Sequence, residues 1–166
     1  MSGLLAPDLL DRAAALIAAA RARGWRFATA ESCTGGLVTA HLTEIAGSSA
    51  VFEYGFVTYA NAAKTDLIGV AEALLASHGA VSEPVARAMA EGALARSSTH
   101  LTVAITGIAG PGGGTPMKPV GTVHFATARA NEGIIHRHEV FDGATREAIQ
   151  QAALRTALEM LRERLA

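Results

Sequence analysis

Helices and short strands alternate along this chain, and most strands border directly on glycines and small hydroxyl residues; few folds accommodate that pattern. Apolar residues at helical spacing cover 7–23, and Gly24 closes the segment. Residues 25–30 read as a strand, followed by Glu31-Ser32-Cys33-Thr34-Gly35-Gly36 and a helix over about 36–45. Gly47-Ser48-Ser49 leads into 51–59, a strand rich in aromatic and β-branched residues. A polar segment, 61–65, precedes a helix over about 67–78. Ser82 is placed to cap a further helix that runs to about Ser97, with Pro84 in its first turn. Residues 101–105 form a buried strand, and the glycine-rich stretch after Thr106 a loop. Two strands, 121–129 and 134–141, join through a turn at Asn131-Glu132-Gly133, and a long amphipathic helix spans 145–165. Helices interleaved with strands, then a hairpin, predict an α/β fold: a three-layer α/β/α sandwich around a mixed sheet. No linker, repeat or low-complexity segment divides residues 1–166, so the chain reads as one domain.

Composition narrows the classes of function. The formal net charge is -1 and no basic run stands out, so no nucleic-acid partner is expected. Half of the residues are hydrophobic and 17% are charged, which excludes intrinsic disorder. A single cysteine, Cys33, rules out an intrachain disulfide and fits a reducing compartment. The Ala- and Leu-rich start is interrupted by Asp8, Asp11 and Arg12, which reads as an amphipathic helix and not a secretion signal. No apolar run reaches the roughly 18 residues of a membrane span. A soluble cytoplasmic protein with no membrane contact is expected, and Ala/Leu stripes on its helices point to a homo-oligomer.

Sites in open α/β sheets form where strand-end loops converge. The turn 31–36 would aim backbone N–H groups outward at a helix start, which suits a phosphate or carboxylate. Tyr59 and Lys64 lie near a serine-bearing loop in the pattern, and serine needs a base before it attacks. Lysine serves as that base only when neutral, a state that burial favours. The glycine-rich loop lacks both the Walker A lysine and the dinucleotide spacing. Arg146 opens the last helix, where the dipole disfavours cations, and is better explained if it faces an anion. Each of these strings alone also reads as a cap, a turn or a solvated side chain. Cys33 is an alternative nucleophile, and His136 and His138, at period two on one strand, an alternative metal pair; no third ligand stands out, and neither metal nor cofactor is expected.

Six strings taken together resemble the CinA C-terminal domain family. They are 29–36 (TAESCTGG), Gly47-Ser48-Ser49, the run 55–64 (GFVTYANAAK), 78–82 (HGAVS), 106–113 (TGIAGPGG) and 118–123 (KPVGTV), in family order over nearly the whole chain. The resemblance implies an amidohydrolase that converts nicotinamide mononucleotide to nicotinate mononucleotide and ammonia through a serine and a lysine. Carried over, Ser49 is implied as nucleophile, with Ser48 as its rival, and Lys64 as general base. Tyr59 is implied to relay or orient the proton, and Ser32 and Thr106 to stabilise the oxyanion. Arg146 is implied to hold the nucleotide phosphate, with Thr34, Gly35, Gly107 and Gly110 also against substrate. Many family members carry a further N-terminal pyrophosphatase domain, and that activity is not expected here. The alternative function is a non-catalytic nucleotide-binding or protein-interaction module; a third is an amidase for another amide.

Overall fold

The computed structural model describes residues 5–143 and 145–166. Five strands, β1 (Phe27–Glu31), β2 (Phe52–Val57), β3 (Leu101–Gly107), β4 (Thr122–Arg129) and β5 (Gly133–Val140), form one sheet in the order β2-β1-β3-β4-β5. β2, β1 and β3 run parallel, and β4 and β5 are antiparallel to their neighbours. The expected α/β sandwich with a mixed sheet is the fold observed.

One face of the sheet is covered by α1 (Pro7–Arg23), α2 (Leu37–Glu44) and α6 (Arg146–Leu165). The other is covered by α3 (Asn61–Ile68), α4 (Glu72–His78) and α5 (Glu83–Ser97). Side chains alternate along each strand, so the two faces are two cores. Phe27, Val103, Ile105 and Phe125 pack with Leu9, Leu42 and Leu154 on the first. Ala30, Ala104, Ala126 and Ala128 face Met89 and Val85 on the second. The apolar strand residues at the centre of this second face, Ala30, Ala104, Ala126 and Ala128, are small, which lets α5 lie close to the sheet.

The helix expected over 67–78 is two helices. Gly69 ends α3 with φ 70; its N–H donates to the Thr65 carbonyl, and the N–H of Val70 to the Lys64 carbonyl. The break turns Val70 into the second core. The first strand begins at Phe27 and includes Glu31, two positions later than expected at its start. Ser48–Ala50 is one turn of 3-10 helix.

α5 crosses α3 so closely that a Cβ at Gly92 would lie 1.8 Å from the Ile68 carbonyl oxygen. Gly92→Ala must push the two helices apart, at an expected cost of about 2–4 kcal/mol in urea unfolding. Gly24→Ala, with open space around its Cβ but φ 65, is the control and should cost about 1 kcal/mol.

Candidate active site

Strand periodicity decides which side chains meet. Glu31 shares the α2 face with Phe27 and Thr29; Ser32, one residue on, points to the opposite face. β1 and β3 pair in register up to Glu31 and Ile105, and the Ser32 N–H donates to the Ile105 carbonyl at 2.9 Å. Thr106, next along β3, therefore lies beside Ser32 on the same face. α2 departs to one side of β1 and α5 returns on the other, so the crossovers diverge at these strand ends and leave a cleft there.

Lys64 reaches this cleft from the first turn of α3 and is 1% exposed. Its Nζ donates to Ser32 Oγ at 3.1 Å, to the Thr58 carbonyl at 2.8 Å and to the Tyr59 carbonyl at 3.3 Å. Among the described residues no carboxylate pairs with it, and burial lowers its pKa from the usual 10.5.

Glu31 reads in the sequence only as part of a polar string, yet it builds the turn. Its carboxylate is fully buried and accepts five hydrogen bonds. One oxygen takes Thr34 Oγ1 at 2.6 Å and the N–H groups of Gly36 and Val38 at 3.1 Å; the other takes the Thr39 N–H at 2.8 Å and Thr39 Oγ1 at 2.9 Å. The chain's own carboxylate thus fills the start of α2, where the sequence pattern suggests an external anion. The signal for it is a glutamate that ends a strand, at the entry of the turn leading into a helix. The N–H groups of Cys33 and Thr34 donate to no backbone carbonyl among the described residues.

Two of the expected residues do not bring a side chain to Lys64. Ser49 is exposed in the 3-10 turn before β2, and Ser48 is buried there. β1 and β2 are parallel, so the residues before β2 lie at the opposite end of the sheet from those after β1. At ~3.3 Å per strand residue the separation is roughly 15–20 Å, and neither Ser49 nor Ser48 meets Lys64. Tyr59 is not a relay to Lys64 through its side chain: only its carbonyl touches Lys64, and its hydroxyl accepts from Arg146 Nη2 at 3.1 Å.

Arg146, the first residue of α6, also donates to the Gly110 carbonyl at 2.6 Å, so it ties the glycine-rich loop to Tyr59. Thr106 Oγ1 donates to the Ala80 carbonyl at 2.9 Å. Thr34 spends its hydroxyl on Glu31. Ser32, Lys64, Thr106, Gly107, Gly110 and Arg146 surround a cleft of about 290 Å³. A second hollow of about 430 Å³, which includes Gly35 and Gln150, adjoins it across Tyr59 and Arg146. A larger hollow between α1 and α6 is lined by no serine, threonine, cysteine or lysine.

Cys33 is buried, and burial above all pushes its thiol up to about 12. A thiol held there favours the protonated form, which is the poorer nucleophile. His124, His136 and His138 do come together on β4 and β5: His124 Nδ1 lies 2.9 Å from His136 Nε2, and the His124 and His138 rings stack at 4.3 Å. Among the described residues, however, no group of three or more His, Cys, Asp or Glu is arranged to hold a metal ion. Nor, among them, is any helix long and apolar enough to cross a membrane.

The model of the CinA C-terminal domain family matches residues 10–165. The nicotinamide-nucleotide amidohydrolase PncC of Escherichia coli K12 is 55% identical over 143 residues, 86% of each chain. A CinA-like protein of Mycolicibacterium gilvum is 53% identical over 93% of this chain, which covers 35% of that protein. The chain thus spans about a third of the length of CinA-like relatives such as that of Syntrophobacter fumaroxidans. The solved structure of the competence/damage inducible protein CihA from Agrobacterium tumefaciens superposes with a TM-score of 0.94 at 49% identity, covering 97% of this chain and 98% of that one.

Glu31→Gln would set an amide NH₂ against the N–H groups of the turn. Unfolding free energy should fall by about 2–4 kcal/mol in urea. Unchanged stability would mean that the carboxylate is not what holds the turn.

Proposed function

Because this chain belongs to the CinA C-terminal domain family, we propose that it hydrolyses the carboxamide of nicotinamide mononucleotide with Ser32 as nucleophile and Lys64 as general base. The observation that carries the reading is the 3.1 Å contact between Lys64 Nζ and Ser32 Oγ in a buried, carboxylate-free site. A neutral amine has two N–H bonds and one lone pair. The carbonyls of Thr58 and Tyr59 take the two N–H bonds, which leaves the lone pair for the Ser32 hydroxyl. A module that only binds has no use for a desolvated lysine on a serine.

The chemical steps use these groups in turn. Ser32 Oγ adds to the carboxamide carbon while its proton passes to Lys64 Nζ. The oxygen of the tetrahedral intermediate takes the negative charge, and the N–H groups of Cys33 and Thr34 are the donors available to it. The C–N bond breaks as Lys64 returns the proton to nitrogen, releasing ammonia and leaving an acyl ester on Ser32. A water molecule, deprotonated by Lys64, then frees the acid and restores the serine. Arg146 is the cation that lines the cleft at its outer rim and is suited to the phosphate.

Ser32→Ala and Lys64→Ala should each lower kcat for ammonia release from nicotinamide mononucleotide by about 10³-fold or more. Ser49→Ala should stay within about twofold of wild type, since its serine is at the far end of the sheet. The reverse ranking would refute the assignment. For pH, the active form is the neutral amine, so kcat/KM should rise with pH as Lys64 loses its proton. Burial lowers that pKa, so the midpoint should lie below 10.5. Lys64→Arg, charged at every accessible pH, should show no such rise.

A further inference from the structure

We infer that Thr106 selects amides by accepting an N–H of the scissile carboxamide, and is not a donor to the oxyanion. The inference rests on the amidohydrolase reading and concerns the direction of one hydrogen bond. A threonine hydroxyl has one hydrogen to give and two lone pairs to receive. The Ala80 carbonyl, 2.9 Å from Thr106 Oγ1, has no hydrogen, so Thr106 must be the donor in that contact. The segment that carries Ala80 is itself tied, since Ser82 Oγ donates to the Gly79 carbonyl at 2.8 Å. With its only hydrogen committed, Thr106 presents acceptor capacity to the cleft.

Lys64, Arg146 and the turn after Ser32 offer the opposite polarity. Neutral Lys64 gives its two hydrogens to carbonyls and in that state turns its lone pair to the Ser32 hydroxyl, Arg146 is a donor only, and the Cys33 and Thr34 N–H groups are donors. Thr106 is 1% exposed and stands beside Ser32 across the register of β1 and β3. A carboxamide bound over Ser32 has a carbonyl oxygen for the donors and two N–H bonds for Thr106. Esters and carboxylic acids have no N–H in that place and bring an oxygen lone pair against the hydroxyl oxygen. A buried polar group left unmatched in this way discriminates strongly. The contact also holds the nitrogen in place while Ser32 adds to the carbon and the proton on Lys64 moves to nitrogen.

The test compares two substrates that share everything but the leaving group: nicotinamide mononucleotide and the methyl ester of nicotinate mononucleotide. Ammonia and methanol release are measured for wild type, Thr106→Val, Thr106→Ala and Thr106→Ser. We expect kcat/KM for the amide to fall by about 10–100-fold in the Val and Ala variants. The ester should change by less than about threefold, and Thr106→Ser should restore the amide to within about fivefold of wild type. Equal losses on both substrates would overturn the inference in favour of an oxyanion donor or a packing role, and an unchanged amide rate would overturn it outright. Thr106→Ala keeps the comparison open if the Val variant does not fold. A wild-type protein inactive on both substrates would instead refute the amidohydrolase reading itself, and this inference with it.

Discussion

A carboxylate buried without a cation holds this site together. Removing Glu31 from water is costly, and among the described residues no lysine or arginine offsets it. The compensation is five hydrogen bonds, three of them from the backbone at the start of α2, where the helix dipole also favours negative charge. The turn between β1 and α2 is wrapped around that carboxylate. Because side chains alternate along the strand, fixing Glu31 on one face fixes Ser32 on the other. The serine is thus set from behind, by a residue that never enters the cleft.

The cleft is then completed by elements far apart in sequence. Parallel pairing brings Thr106 next to Ser32, and α3 delivers Lys64 from below. The last helix begins with Arg146, which reaches across to Tyr59 and Gly110. Lys64 is among the largest fully buried side chains of the protein, in a molecule whose other large ones are apolar. Its ammonium is disfavoured by burial and meets only backbone carbonyls and a hydroxyl. A site that spends stability to keep a lysine desolvated is what base catalysis calls for.

Much of this is legible in the chain, residue by residue. The alternation of helix and strand, the hairpin and the polar strings at strand ends are local features, and local features survive reading in one dimension. Lys64, Ser32, Thr106 and Arg146 all stand out in the sequence, and the structure brings all four to one cleft. The pairing of serine with lysine does not survive. Ser49 and Ser32 are both serines beside a strand, but one precedes its strand and the other comes after. Which of the two meets Lys64 depends on β1 and β2 being parallel neighbours. Glu31 escapes notice because a glutamate after an apolar strand looks like an ordinary loop residue until its burial is known. Cys33 shows the reverse, an intrinsically reactive group whose thiolate is disfavoured by being enclosed.

By itself the sequence determined the α/β class, the succession of elements and the inventory of groups that chemistry can use. These depend on period, propensity and turn residues, which act over a few positions. Only the tertiary structure decided which serine faces the lysine, that the start of α2 is filled from within, and which way the Thr106 hydroxyl points. Those depend on strand direction, on burial and on partners tens of residues away, and the energy of a charge or a hydroxyl is set by what surrounds it in space.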